Sequence, residues 1–387
     1  MQVDVLIVGG GLAGASLAVA LRRSRLRVAL VEAQAPQRPS GRDQRIYAVS
    51  PSSQAFLAQS GVWEHLDADR MVGVASMAIH GDAGGRLDFS AYDAGLSELA
   101  WIVESSLMHL ELWETLRRQH NVSLLCPASP AHLDVDASGA RLRLEDGRSV
   151  QARLIVAADG ASSWVREQLG IASNISPYGE LGVVANFRCE RPHRRVARQW
   201  FRDDGVLAWL PLPGDAISMV WSTPEAHARV LLDLDTAALS ERVAAAGGHE
   251  LGAMQTEGAA AGFPLRLLRV AETVRPRVAL IGDAAHTIHP LSGHGINLGF
   301  SDAAVLAAKL LALPEWRDPG DYAVLRAYAR ERAEEPALLQ GVTHALNRMF
   351  VADSAVLREM RNQGMNLAAR LPVLTNSLIR YATSGRF

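Results

Sequence analysis

The chain has 387 residues, 49% of them hydrophobic and 21% charged, with a formal net charge of −2. That length suffices for two or three structural units, and the near-neutral balance excludes a nucleic-acid binder held by a basic face. Two cysteines, Cys126 and Cys189, are too few for a disulfide framework or a zinc site, so no metal is expected and a reducing, cytoplasmic setting fits.

The N-terminal "MQVDVLIVGGG" carries Asp4 inside its apolar run and has no basic region before it, so it does not read as a signal peptide. "VDVLIV" (Val3–Val8) predicts a buried parallel strand. It runs into Gly9-x-Gly11-x-x-Gly14 and a periodic helix from Leu12 to about Leu21. A second strand, "RVALVE", ends on Glu32. The glycines permit a tight turn and close backbone approach, the helix N-terminus suits a pyrophosphate, and the acid suits a ribose hydroxyl. A carboxylate here would repel a 2′-phosphate, which favours FAD or NAD over NADP as the tightly held dinucleotide.

Two later stretches repeat the design. "ARLIVAADGASSWVRE" (Ala152–Glu167) predicts a buried strand ending at Asp159-Gly160, then a short helix opened by Ser163 and Arg166. "RVALIGDAAHTIHPLSGHGINLGFSDAAVLAAKLL" predicts a strand over Val278–Ile281 that stops at Gly282-Asp283. An irregular segment with Pro290, Gly293 and Gly295 follows, then a long helix to about Leu311. An acid at a strand's carboxyl end can accept from a ligand's hydroxyls. Glycines at a helix N-terminus let a flat ring lie against backbone in a field that favours negative charge.

Between these stations, from about Gly179 to Trp221, the pattern changes to short alternating strands separated by turns. This predicts an inserted antiparallel sheet, to which "VASMAIHGDAGGRLDF" (Val74–Phe89) adds strands. Trp200, Phe201, Trp209 and Trp221 are candidates for lining a cavity under that sheet, Trp209 and Trp221 first among them, with plain core packing as the competing reading. The last quarter is helical, and its final segment sets Leu371, Leu374, Leu378 and Ala382 on one face with Arg370, Arg380 and Arg386 elsewhere. That face is expected either to pack on its own domain or a second copy of the chain, or to lie on a membrane. No uncharged run approaches the ~18 residues of a spanning helix.

"GGGLAG…E", "DGASSWVR" and "GDAAHTIHPLSGHGINLG", in that order and spacing, resemble the three FAD fingerprints of class A flavoprotein monooxygenases. "DQRIYAVS", "AWIVESSLMHLELWETL" and "VLAWLPLPGDAISMVWS" bring the resemblance nearest to the ubiquinone-biosynthesis aromatic hydroxylases. The resemblance implies an α/β fold with a Rossmann-like, glutathione-reductase-type FAD-binding domain (1–72 with 100–175 and 270–325). It also implies an inserted, mainly antiparallel substrate domain (73–99 with 176–269) and C-terminal helices (326–387).

It implies further that Gly9, Gly11, Leu12, Ala13 and Gly14 pack on the FAD pyrophosphate, that Glu32 binds the adenosine ribose, and that Arg45 and Asp159 reach the cofactor. Gly282 and Asp283 would hold the ribityl chain, and Pro290, Gly293, Gly295, Ile296 and Asn297 would line the isoalloxazine. Two positions depart from the family pattern. His294 stands where glutamine is more usual, and Ser105-Ser106 follow Glu104 where an asparagine and a basic residue are more usual. His286 and His289 flank the third fingerprint; His289, beside Pro290, is the stronger catalytic candidate, against turn-capping roles for both.

The expected reaction is hydroxylation of an aromatic ring by way of a flavin C4a-hydroperoxide, with NAD(P)H as reductant and O₂ as co-substrate. The expected substrate is a lipid-tailed phenol or benzoquinol. Expected partners are the inner-membrane surface, a quinone-biosynthesis complex or a second copy of the chain. Rival readings are a hydroxylase of a soluble aromatic and a non-catalytic flavin-binding assembly subunit. A flavin halogenase or reductase is a third, and "AWLPLP", with a single tryptophan, argues against the halogenase.

Overall fold

The computed structural model of the chain describes residues 1–39, 41–289, 293, 295–351 and 355–369. In it β1 (Gln2–Val8) turns into α1 (Leu12–Ala20), and β2 (Val28–Val31) returns parallel to β1 with Val5 opposite Val28 and Val8 opposite Val31. Side chains alternate across a strand, so Val5 and Ile7 enter one core while Leu6 and Val8 enter another. Both faces are therefore covered, which is why the strand reads as a continuous apolar run.

The chain continues through β3 (Ile46–Val49), α2 (Pro51–Gln59), β4 (Val72–Val74), the hairpin β5 (Ser76–His80) and β6 (Arg86–Ser90), β7 (Ala100–Glu104), α3 (Ser105–Arg117) and β8 (Val122–Leu125). Then come β9 (Pro130–Asp136), β10 (Gly139–Leu144), β11 (Ser149–Ala157) and α4 (Trp164–Gln168). Next are β12 (Ser173–Cys189), β13 (Val196–Arg202), β14 (Gly205–Leu212), β15 (Ala216–Pro224), α5 (Glu225–Asp233) and α6 (Thr236–Ala246). The chain ends through β16 (Met254–Val270), β17 (Val274–Arg275), β18 (Val278–Leu280), β19 (His286–Thr287), α7 (Gly295–Leu311), α8 (Tyr322–Arg332), α9 (Glu334–Val351) and α10 (Ala355–Ala369).

The first sheet runs β17-β18-β11-β1-β2-β8, with β9 and β10 hanging from β11. Its central strands are parallel, so the carboxyl ends of β1, β11 and β18 open on one edge. The three sequence stations, which lie far apart in the chain, meet there. The second sheet runs β19-β16-β12-β15-β14-β13-β5-β6 and is antiparallel apart from the β13–β5 pair. A small sheet of β3, β7 and β4 contributes Ile46, Ala48, Val74, Ala100 and Ile102 to an apolar cluster shared with Leu210, Leu212 and Ala216 of the second sheet.

The long strand β16 was not anticipated from the sequence. Its middle, "GAAAGFP", is rich in residue types depleted from strands, and it holds together by pairing with β12 over most of its length. The hairpin β5–β6 is tied to α10. Arg361 pairs with Asp82, and Asn362 Oδ1 accepts from the Gly85 amide at 2.8 Å and the Ala83 amide at 3.2 Å. Leu371, Leu374, Leu378, Ala382 and the arginines expected opposite them lie outside the described residues. Among the described residues no helix is long and apolar enough to cross a membrane, and no cluster of side chains could hold a metal ion.

Candidate active site

The glycine turn after β1 is built by close packing. Gly9 has φ +102°, and a side chain there or at Gly14 would overlap backbone, that of Ala158 and of Gly9 respectively. Gly11 differs: nothing lies within 4 Å of where its Cβ would stand. Gly9 and Gly14 let α1 close on the sheet, and Gly11 leaves room at the helix N-terminus for a phosphate to meet backbone amides.

Glu32 accepts from the Gly10 amide at 2.6 Å and, through its other oxygen, from the Gln34 amide at 3.1 Å. It therefore fixes the turn while keeping lone pairs free for a ligand hydroxyl. The ring of His109 in α3 reaches the Gly10 carbonyl at 2.7 Å, a contact that spacing alone could not reveal. Leu12 is buried, and Ala13 lies against the sites of Gly282 and Gly299, which brings α1, the third station and α7 together.

Asp159 follows β11. One of its oxygens accepts from the Val165 amide at 3.0 Å; among the described residues no hydrogen bond is made to the buried Oδ1. Burial pushes its carboxyl above the usual range. Ser163 caps α4 by accepting from the Arg166 amide at 3.1 Å. The buried Arg166 guanidinium donates to the Ala161 carbonyl at 2.7 Å and the Ala284 carbonyl at 2.9 Å, tying the second station to the third.

At the third station Gly282 takes φ +59° and the chain makes a short 3-10 turn carrying Asp283. Asp283 stands exposed at the cleft surface, but enough protein surrounds it that burial raises its carboxyl above the ordinary range, against the pull of His286 and Arg45. Behind it lies a buried ionic group. Asp302 accepts from the Gly282 amide at 2.9 Å, from the His286 ring at 2.8 Å and from Arg332 at 2.7 Å. Burial would lower the His286 pKa, yet Asp302 outweighs it and raises the ring's pKa; Asp302 itself is held low by His286 and Arg332 despite its burial. The His286 ring thus meets the Asp302 carboxylate rather than capping a turn through backbone.

His289 is fully buried and its ring meets the Glu180 carboxylate at 2.9 Å, with the Tyr178 ring nearly perpendicular to it at a centroid separation of 4.8 Å. This pair joins β12 to the segment leading into residue 290. Pro290 and His294 lie outside the described residues. Gly293 has φ +62°, and a Cβ on it would stand 3.6 Å from Ala48 Cβ; among the described residues nothing lies within 4 Å of where a Cβ on Gly295 would stand. Ile296 packs on the core below. Asn297 donates to the Ala48 carbonyl at 2.8 Å and accepts from the Ser50 amide at 2.9 Å, pinning α7 to the end of β3.

The segment before β3 is held by Asp43, which accepts from the Arg45 amide at 2.9 Å and the Ser106 amide at 2.9 Å. Ser106 contributes its backbone, and its hydroxyl is buried without a partner. Arg45 is exposed on the cleft side of this segment, close enough to influence Asp283.

The expected aromatic lining needs correction. Trp209 and Trp221 are 1% and 0% exposed and belong to the core between the second sheet and α5–α6. The reason is strand parity. Leu207 and Trp209 on β14, like Met219 and Trp221 on β15, face the helices. Their alternates Ala208, Leu210, Val220 and Ser222 face the other way, as do Gly182, Val184 and Asn186 on β12. Trp200 packs against Trp209 on the helix side, whereas Phe201, opposite Val206, lies buried on the face of Ala208 and Ser222.

The residues present fit FAD. The open Gly11 approach, the Asp159 carboxylate, the outward Asp283 and the glycines at 293 and 295 offer what such a cofactor needs: room for a phosphate, acceptors for hydroxyls and space for a flat ring.

Comparison with known proteins agrees with this geometry. Residues 2–340 match the model of the FAD binding domain. The chain is 33% identical over 382 residues to ubiquinone hydroxylase UbiL of Rhodospirillum rubrum, covering 98% of this chain and 89% of that one. It is 32% identical over 383 residues to the 3-demethoxyubiquinol 3-hydroxylase of Escherichia coli, covering 98% of each. Among solved structures, PqsL of Pseudomonas aeruginosa, described as a probable FAD-dependent monooxygenase, superimposes with a TM-score of 0.78 at 25% identity, over 94% of this chain and 99% of that one.

Proposed function

This chain belongs to the FAD binding domain family and is an FAD-dependent aromatic hydroxylase, and we propose that its substrate is a polyprenyl phenol or benzoquinol of ubiquinone biosynthesis. The observation that carries the proposal is full-length similarity to two ubiquinone-pathway hydroxylases, which spans the second sheet as well as the cofactor side. A likeness confined to the dinucleotide turn would support only FAD binding.

In this reading the first sheet and its helices form the FAD unit and the second sheet the substrate unit, along the boundaries expected from the sequence. Gly9, Gly11, Leu12, Ala13 and Gly14 receive the pyrophosphate, Glu32 the ribose, and Asp283 the ribityl hydroxyls. Arg45 and Asp159 stand at the cofactor's edge. Gly293, Gly295, Ile296 and Asn297, with Pro290 in the stretch outside the described residues, bound the ring. Bound FAD supplies the transfer of electrons from NAD(P)H to O₂ and the delivery of one oxygen atom to the ring.

The chain's own contribution is orientation, exclusion of water and charge. The N-terminus of α7 directs backbone amides at developing negative charge, and the second sheet presents a largely uncharged wall that keeps the reacting centre dry. His289, locked to Glu180, holds the segment leading to residue 290 against the substrate wall.

The peripheral contact belongs to the same proposal. Residues 370–387 lie outside the described residues, and from their sequence we assign them to a membrane surface or a quinone-biosynthesis complex. Removing them should leave FAD bound and reduce partition onto anionic vesicles. Unchanged partition would return the segment to intramolecular packing.

The direct test is turnover by the purified holoprotein. A detergent-solubilised polyprenyl phenol should drive NAD(P)H oxidation and yield a product with one added oxygen atom. Oxidation driven only by water-soluble phenols would move the substrate to that class.

A further inference from the structure

Four alternate residues of β12 share the face turned away from α5 and α6. Glu180, Gly182, Val184 and Asn186 share one face, since the pairing of β12 with β15 runs without a break from Glu180 to Arg188. The two end residues touch the cofactor side. Glu180 meets His289 at 2.9 Å, and the Asn186 side chain donates to the Asp43 carbonyl at 3.0 Å. The sheet is thus anchored at both ends of a span of roughly 20 Å, six residues at about 3.3 Å each. Gly182 and Val184 face the gap between.

Phe263 lies opposite Gly182 on β16. A Cβ on Gly182 would come within 2.7 Å of the Phe263 ring and 3.3 Å of Leu265, so the phenyl ring lies across the space that the glycine leaves. Across β15 the same face continues with Ser222 opposite Gly182 and Val220 opposite Val184. The charged Glu257, paired with Arg42 at 3.0 Å, stands opposite Asn186 at the far end.

Phe263 is also at the rim. Beyond β16 the only pairing among the described residues is with β19, at Leu268 and Arg269. Gly262, Phe263 and Pro264 are exposed, Phe263 by 39%. Pro264 has no N–H to offer a further strand, so this stretch of edge is poorly suited to being covered by sheet extension. An exposed phenyl ring between an uncharged wall and an open rim suits an aliphatic chain leaving the cavity.

We propose that Phe263, seated over Gly182, is the specificity-determining contact for the aliphatic chain of the substrate, which crosses the β16 rim at this point while the aromatic ring lies further in. The inference rests on the polyprenyl reading above, and it adds the residue that enforces it.

The test compares two phenols with the same ring, one carrying a polyprenyl chain and one a methyl group, on wild type, Phe263→Ala, Phe263→Leu and Gly182→Ala. The readout is the ratio of the two kcat/KM values, with flavin content of each variant checked by absorbance. Phe263→Ala should lower the prenyl-to-methyl ratio about tenfold, the discrimination a hydrophobic pocket gives for a small apolar group. Gly182→Ala should do the same by displacing the ring, and Phe263→Leu should restore part of the ratio.

A ratio unchanged in Phe263→Ala and Gly182→Ala, or equal losses on both substrates, would overturn the assignment. A wild type that prefers the methyl phenol would overturn the polyprenyl reading itself, and the assignment with it. The wild-type ratio tests the substrate class and the variant ratios test Phe263.

Discussion

Asp302 and His286, sixteen residues apart in the chain, form a buried ion pair at 2.8 Å directly beneath the turn that carries Asp283. The same carboxylate oxygen accepts from the Gly282 amide, and the other accepts from Arg332, so one side chain joins the third station, α7 and α8. Asp302→Asn removes the charge that balances two buried cations. A loss of about 3–5 kcal/mol in denaturant-monitored stability is expected, because buried His286 loses its counter-charge and Arg332 keeps only Glu335. Stability within 1 kcal/mol of wild type would mean that the group is looser than its geometry implies.

The pair also sets a pH dependence. His286 binds its proton more tightly folded than unfolded, so its contribution is complete below the ordinary histidine value of 6.5 and is lost as pH rises through the raised folded value. Asp302 is depressed, so its contribution is present above 3.8 and is lost as pH falls through its lowered value. The melting temperature should therefore decline on the alkaline side of pH 6.5, and His286→Gln should flatten that decline. Parallel alkaline slopes in the two proteins would remove His286 from the account.

Asp283 is exposed to the cleft, has no hydrogen bond recorded to its side chain among the described residues, and is placed to meet ligand hydroxyls. Asp283→Ala should weaken FAD binding about 10- to 100-fold, the equivalent of roughly 1.5–3 kcal/mol for hydrogen bonds to a charged group. Flavin fluorescence titration of the apoprotein measures it, with circular dichroism to establish that the variant is folded. An unchanged Kd would reject the ribityl assignment.

Trp209 should matter for stability and leave specificity alone. It is 1% exposed, and a side chain placed on Gly247 would strike its ring, so Trp209→Ala empties a tightly packed site on the helix side of the sheet. A cost of about 3–5 kcal/mol is expected, with the KM for the aromatic substrate unchanged in the folded protein. A raised KM with stability intact would put the ring in the cavity after all.

These contrasts show what was legible in the sequence. The glycine turns at Gly9 and Gly282 could be read because each is a local strand–turn–helix event with its own chemical signature. Trp209 could not be placed from its own strand, because alternation says that neighbours face opposite ways and leaves open which way is in. That depended on α5 and α6, which cover one face and fix the parity of the whole sheet. Asp302, Glu180 and Phe263 were illegible for a related reason. Their roles come from partners at His286, His289 and Gly182, the last two 109 and 81 residues away, and nothing local marks them. β16 was overlooked because alanine and glycine carry little strand signal, although its pairing with β12 makes it a wall of the cavity.

The central claim is the place of this hydroxylation in ubiquinone biosynthesis, and the most direct measurement is mass spectrometry of quinone lipids from a strain lacking the gene and any second enzyme for the step. The account predicts loss of ubiquinone and accumulation of a prenylated ring short of one oxygen atom, restored by the wild-type gene and not by the Asp283→Ala variant. An unchanged quinone profile in that strain would contradict it.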